Sequence, residues 1–148
     1  MKRKIFFLSL VLISASVSGC FKLSTKTYQY VPFPTQENPE MARIYVLRPQ
    51  LFGGLVAIEI SDNDKIIGST IKHGYLCWER EPGHATIKSK VANNSSLELE
   101  AEKGNSYYIL EKILFSDMIG RPRDELILVD EERGKELLSK CNPASVNP

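Results

Sequence analysis

Histidine is rare in this chain, with two in 148 residues, and cysteine nearly so, with three. So few of either leaves little choice of catalytic base or of metal ligand. Charge of one sign is missing as well: 19 basic residues face 18 acidic ones, a formal net charge of +1. With no basic excess there is no broad field to draw in nucleic acid, and no nucleic-acid partner is expected. No apolar run reaches the roughly 20 residues that a comfortable bilayer span needs, which excludes a polytopic membrane protein. Hydrophobic residues at 43% and charged residues at 25% are ordinary for a globular domain, and they exclude a disordered tail or a collagen-like fibre. The length suits one core and is too short for two.

What is present begins with an uneven placement of charge. Lys2, Arg3 and Lys4 stand at the N-terminus, and the apolar stretch Ile5 to Val17 follows, softened by Ser9, Ser14 and Ser16. Small residues and Cys20 come next, which is the layout of an export signal over residues 1–19. A cut before Cys20 leaves 16 basic against 18 acidic groups. Val17-Ser18-Gly19-Cys20 resembles the lipobox of bacterial lipoproteins. The resemblance implies that the Cys20 thiol takes a diacylglycerol, including palmitate-type chains, and that the chain is held on a membrane by several acyl groups. Phe21 stands after the cysteine where an Asp would signal retention. The resemblance therefore implies an outer-membrane address, with the domain facing the periplasm.

Cys77 and Cys141 remain. In an exported domain such a pair can bridge, closing a loop of about 64 residues worth perhaps 4 kcal/mol in the loop-entropy account. Two buried or unpaired thiols are the alternative.

Residues 20–41 carry Pro32, Pro34 and Pro39 with no sustained period and read as a tether. From Ala42 the texture becomes one of short alternating segments. Ala42, Ile44 and Val46 alternate, as do Ile58 and Ile60, Ala85 and Ile87, and Leu97, Leu99 and Ala101. Turn clusters fall between them at Asp62-Asn63-Asp64, His73-Gly74, Glu81-Pro82-Gly83 and Lys103-Gly104-Asn105. This spacing predicts a mainly β domain over 42–141, an antiparallel β-sandwich of about seven to eight short strands. Ser116 to Asp124 reads as a loop and Leu126 to Val129 as a last strand. Asp130 is placed to cap one C-terminal helix with Glu131 and Glu132 in its first turn. Gly134 inside that helix counts against it by about 1 kcal/mol relative to Ala. Residues 142–148 form a tail. Alternation puts Ile44, Val46, Ile58, Ile60, Ile87, Leu97, Leu99 and Ile109 in one core, with Leu137 or Leu138 covering an open edge or face and Glu98 and Glu100 in water.

Ala42-Arg43-Ile44-Tyr45-Val46-Leu47-Arg48-Pro49, then Gly74-Tyr75, Glu81-Pro82-Gly83-His84 and Gly104-Asn105-Ser106-Tyr107-Tyr108, resemble in order and spacing an uncharacterised bacterial lipoprotein family with a domain of unknown function. The similarity runs over about residues 42 to 138. It implies a fold and a location and no reaction. The Pro-Gly-His hairpin also resembles the small β-sandwich modules of the carboxypeptidase-regulatory and PEGA type.

Four constellations could carry chemistry. His73, Cys77 and His84 could hold zinc or copper, but only three ligands appear and their spacing fits no zinc pattern. Nucleophilic catalysis lacks a Gly-x-Ser-x-Gly elbow. Carboxylate pairs, Glu79 with Glu81 or Asp62 with Asp64, fall at turns and strand ends where solvated surface is the ordinary outcome, and a domain of short hairpins offers little cleft for glycan cleavage. Tyr45, Arg48 and Trp78, with Tyr75, Tyr107 and Tyr108 nearby, are residue types of interaction hot spots and define a candidate binding surface, core packing being the alternative. The expected function is a non-catalytic binding or assembly module of the cell envelope, anchored through its lipid and working with an envelope protein or other envelope component. No cofactor and no metal is expected. A periplasmic enzyme or metal-binding protein using His73, Cys77 and His84 is the alternative.

Overall fold

The computed structural model describes residues 37–50, 56–91, 94–115 and 122–143. The export signal, Cys20 and the tether as far as residue 36 lie outside the described residues. The chain order is β1 (Ala42–Arg48), β2 (Ile58–Asp62), β3 (Lys65–Thr70), β4 (Gly74–Arg80), β5 (Gly83–Lys90), β6 (Asn94–Ala101), β7 (Ser106–Phe115), β8 (Pro122–Val129), α1 (Glu131–Leu138) and β9 (Asn142–Pro143). Two sheets form, one of five strands in the order β8-β7-β1-β4-β9 and one of four in the order β3-β2-β5-β6. The architecture is the expected β-sandwich with one helix.

Its pairing is not wholly antiparallel. β1 runs parallel to β7, and β4 runs parallel to the two-residue β9. A parallel pair cannot be joined by a tight turn, and here the long connection includes the whole second sheet. β1 is accordingly central, and all seven of its residues are buried. Ala42, Ile44, Val46 and Arg48 share the parity that faces the second sheet, whereas Arg43, Tyr45 and Leu47 face the other way.

Two apolar clusters result. The larger lies between the sheets and takes in Ile44, Val46, Ile58, Ile60, Ile87, Leu99 and Ile109, with Leu97 half-buried against it. Glu98 and Glu100, on the opposite parity of β6, are exposed. The smaller cluster lies on the outer face of the five-stranded sheet, where Leu137 of α1 joins Tyr45, Leu47, Cys77, Tyr108 and Cys141. The helix therefore covers a face. Its N-terminus forms as the sequence demands, since the Asp130 side chain accepts from the backbone N–H of Arg133 at 2.8 Å.

Two boundaries differ from expectation. β8 begins at Pro122 rather than Leu126, because Pro122 is the first residue of an edge strand, where its missing N–H breaks no ladder. The tether is fastened before it ends: Glu37 and Glu79 both bond the Arg43 guanidinium at 2.7 Å, and the Asn38 N–H donates to Glu79 at 3.1 Å.

The register gives the sandwich two distinguishable ends. At the entry end the tether meets Ala42, which pairs with Arg80. At the distal end β1 finishes at Arg48, opposite Gly74. β2 starts, β3, β5 and β7 finish, and β6 and β8 start at this same distal end.

Candidate functional site

Each end of the inter-sheet core is capped by buried polar groups, and the two caps are built differently. At the entry end the buried Asp62 carboxylate accepts from Trp78 Nε1 at 2.9 Å and from Arg80 Nη1 at 2.6 Å. Arg80 Nη2 also donates to the His84 carbonyl at 2.8 Å. Asn63, in the two-residue β2–β3 turn with φ of 46°, exchanges bonds with the Thr86 backbone in both directions. Trp78 and Arg80 come from one sheet and Asp62, Asn63, His84 and Thr86 from the other. This cap fastens the sheets together, and both Asp62 oxygens are satisfied.

The distal cap is not satisfied in the same way. It comprises Arg48 of β1, Thr70 of β3, Ser89 of β5, Glu111 of β7 and Asp124 of β8, each at most 9% exposed. Strand parity brings them together. Ile109, Glu111 and Ile113 share one face of β7, and Asp124 and Leu126 the facing positions of β8. Leu47 pairs with Leu110 in parallel register, so the next step sets Arg48 beside Glu111. Thr70 Oγ donates to Glu111 Oε2, and Ser89 Oγ donates to Asp124 Oδ2. Arg48 Nη1 donates to the carbonyls of Val56 at 2.7 Å and Thr70 at 3.3 Å, tying the ends of β1, β2 and β3. Glu111 Oε1 and Asp124 Oδ1 are buried with no hydrogen-bond partner. A buried polar atom left unpaired costs about 1–3 kcal/mol, so two within one cap require a reason.

Electrostatics set the state of these groups. Burial pushes the Glu111 carboxyl up to about 7; the Thr70 hydrogen bond and the Arg48 charge oppose this, and Asp124 adds to it. Burial also raises Asp124, against the hydrogen bond from Ser89. Burial lowers Arg48, with Glu111 acting the other way. When both acids are ionised, two negative charges share the cap with one positive charge, and that charge, on Arg48, bears on Glu111.

The residues singled out in the sequence fall elsewhere. Tyr45, Arg48 and Trp78 do not form a binding surface: all three are buried, at 6%, 0% and 4% exposure. Tyr45 lies under α1, stacked on Tyr108 with ring centroids 4.9 Å apart, because the register of β1 and β7 pairs the two directly. Trp78 belongs to the inter-sheet core and Arg48 to the distal cap. His73, Cys77 and His84 are not brought together either. His73 is in the turn before β4, with φ of 53°, and its carbonyl accepts from Asn142. His84 lies on the other sheet, exposed and paired with Glu100 at 2.8 Å. Among the described residues no group of three such side chains could hold a metal ion.

Cys77 and Cys141 are buried free thiols, so of the two alternatives the unbridged one holds. Asn142 is level with Gly74 on β4, which leaves Cys141 about 10 Å or more along the strand from Cys77. A disulfide needs Cα atoms within about 7 Å. Burial pushes the Cys77 thiol up to about 12, with the Tyr45 hydrogen bond pulling the other way.

The residues that sequence reasoning passed over are Thr70, Ser89, Glu111 and Asp124. A signal was present for two of them: Glu111 and Asp124 stand on the apolar parity of their strands, flanked by Ile109, Ile113 and Leu126. A charge on the core side of a strand is the pattern that finds a buried cap.

The fold defines a two-sheet β-sandwich whose central strand is covered by a C-terminal helix. Residues 38–121 match the family described as protein of unknown function (DUF2846), and the chain belongs to that family. The chain is also 28% identical over 102 residues to an uncharacterized protein of Haemophilus influenzae, a match spanning 68% of this chain and 60% of the relative. No solved structure gives a significant match. The matched segment of the family contains β1 to β7 and so includes Arg48, Thr70, Ser89 and Glu111; Asp124 lies beyond it.

Proposed function

We propose that this protein is an envelope lipoprotein, anchored to the bacterial outer membrane through an acylated Cys20, whose sandwich is a non-catalytic binding or assembly module in the periplasm. One observation carries the reading: the N-terminal sequence runs Lys2-Arg3-Lys4, an apolar stretch to Val17, then Ser18-Gly19-Cys20. Two features of the domain support it. The tether joins the sandwich at the entry end, which leaves the opposite end clear of the attachment. The opposite end carries the unsatisfied cap and three exposed apolar residues, Val56, Ile71 and Leu114, against Ile66 at the entry end. Apolar side chains around a strand-end surface suit contact with another envelope protein.

Labelling with a fatty-acid analogue tests the anchor. Wild type should take the label, and Cys20→Ser should take none and persist as an unprocessed precursor; a labelled Cys20→Ser protein overturns the proposal. Site-specific photo-crosslinking in intact cells tests the module. Probes replacing Ile71 or Leu114 should give one discrete adduct, and a probe replacing Glu81 at the entry end should not. Equal adducts from both ends would remove the assignment of the distal end.

A further inference from the structure

The distal cap has a feature that the entry cap lacks. Its charge does not balance when its acids are ionised, and two of its oxygens face the protein interior without partners. Arg48 from β1 and Asp124 from β8 are the charged groups that bear on Glu111. β3 and β5 meet the cap with the hydroxyls of Thr70 and Ser89, and β6 meets β8 through Ser95 Oγ, which accepts from the Leu126 N–H at 3.3 Å. Charged side chains on the neighbouring positions, Lys88 and Lys90 of β5 and Lys112 of β7, have the opposite strand parity and point away. Nothing else among the described residues supplies the missing positive charge.

We propose that the distal cap is a proton-operated latch: a proton on Glu111 lets the ends of β1, β3, β5, β7 and β8 close over a neutral acid, and its loss forces those ends apart. The balance is simple. Protonated Glu111 contributes no charge, so the formal charges left in the cap, on Arg48 and Asp124, sum to zero. Release of the proton to water leaves a carboxylate beside Asp124, and two like charges in a dry space repel strongly. The relief available is local. Strands end here, and the connections leave the sheets here, so separation breaks the last rungs of the ladders and leaves the inter-sheet core and the entry cap whole. The ionised Glu111 then gains water. With the carboxyl pushed up to about 7, the change falls near neutrality, because burial and Asp124 together outweigh Thr70 and Arg48.

The latch would regulate the exposed distal surface, because Val56, Ile71 and Leu114 flank the strand ends that it controls. The inference does not depend on the lipid anchor or on any partner, and a failed anchor leaves it standing.

Hydrogen exchange on the full chain at pH 6 and pH 8, corrected for intrinsic exchange, tests it. Amides of residues 111–114 and 124–126 should exchange at least tenfold faster at pH 8, with those of 42–44 and 78–80 at the entry end unchanged. Glu111→Gln keeps the shape and removes the charge, and it should abolish the difference. A flat wild-type profile, or a Glu111→Gln protein that keeps the pH dependence, overturns the latch. Should Glu111→Gln fail to fold, carbon-detected titration of the wild-type Glu111 carboxyl decides: a midpoint near neutrality supports the latch, and one in the usual carboxylate range overturns it.

Discussion

Gly134 of α1 lies directly against Tyr108: a Cβ at Gly134 would overlap Tyr108 Cγ and Cβ. The ring has little room to yield, because it is also stacked on Tyr45. The glycine that weakens the helix locally is thus what allows the helix to sit on the sheet. Gly134→Ala should raise intrinsic helix propensity by about 1 kcal/mol and still destabilise the protein, by about 1–3 kcal/mol net. Urea denaturation of the two proteins measures this; an unchanged or raised midpoint would show that α1 does not pack on Tyr108.

Stability should fall as pH rises through the Glu111 window. The unfolded chain gives up this proton near 4.5, the folded one near 7. Between those values the folded state holds the extra proton, so its stability is greatest below the window and the loss is complete above about 7. The effect is on the order of 2–3 kcal/mol. Denaturation of wild type and Glu111→Gln at pH 5 and pH 8 isolates it. The wild-type loss between the two pH values should exceed that of Glu111→Gln; equal losses would contradict the raised carboxyl.

At the entry end the outcome should be sharper for a smaller change. Asp62→Ala leaves Trp78 Nε1 and Arg80 Nη1 without their acceptor and should cost about 2–4 kcal/mol. Trp78 is the single tryptophan, so its emission reports on the site directly. Loss of less than about 0.5 kcal/mol with unchanged emission would mean that the cap is not what joins the sheets.

β6 offers a test of register. Leu99→Ala should cost about 2–5 kcal/mol, and Glu98→Ala should stay within about 0.5. A reversal of the two would mean that the strand is slipped by one residue.

The two domain thiols should behave as buried groups. Cys77 and Cys141 should resist a thiol reagent in the folded domain and both react once it is unfolded, with no change of electrophoretic mobility on reduction. A reduction-dependent shift would show a bridge that the strand register does not permit.

Alternation along β2, β5 and β6 made the core legible, because each of those strands has one face on the core and one toward water. β1 was harder. Its outer residues look like surface until their covers are placed, the helix over Tyr45 and Leu47 and Glu37 over Arg43, and only tertiary structure places these. The same cause moved Tyr45 and Trp78 from an expected surface into packing. Glu111 and Asp124 carry no turn or strand-end signature; they stand inside apolar strands, where only parity marks them as buried. Gly134 read as a flaw in a helix for want of Tyr108, which is 26 residues earlier in the chain. His73 and His84 seemed close because they are near in sequence, but the chain changes sheet between β4 and β5.

The parallel pairing of β1 with β7 also governs the order in which the molecule can be completed. Arg43 meets Ser106 only after 63 further residues have followed it. β4 can reach β1 early, but the opposite side of this apolar strand stays unpaired until nearly the whole domain exists. Such distant pairing slows folding, and a bare strand edge invites pairing with a neighbouring molecule. The interval before β7 arrives is therefore the time when the nascent protein has most need of a chaperone.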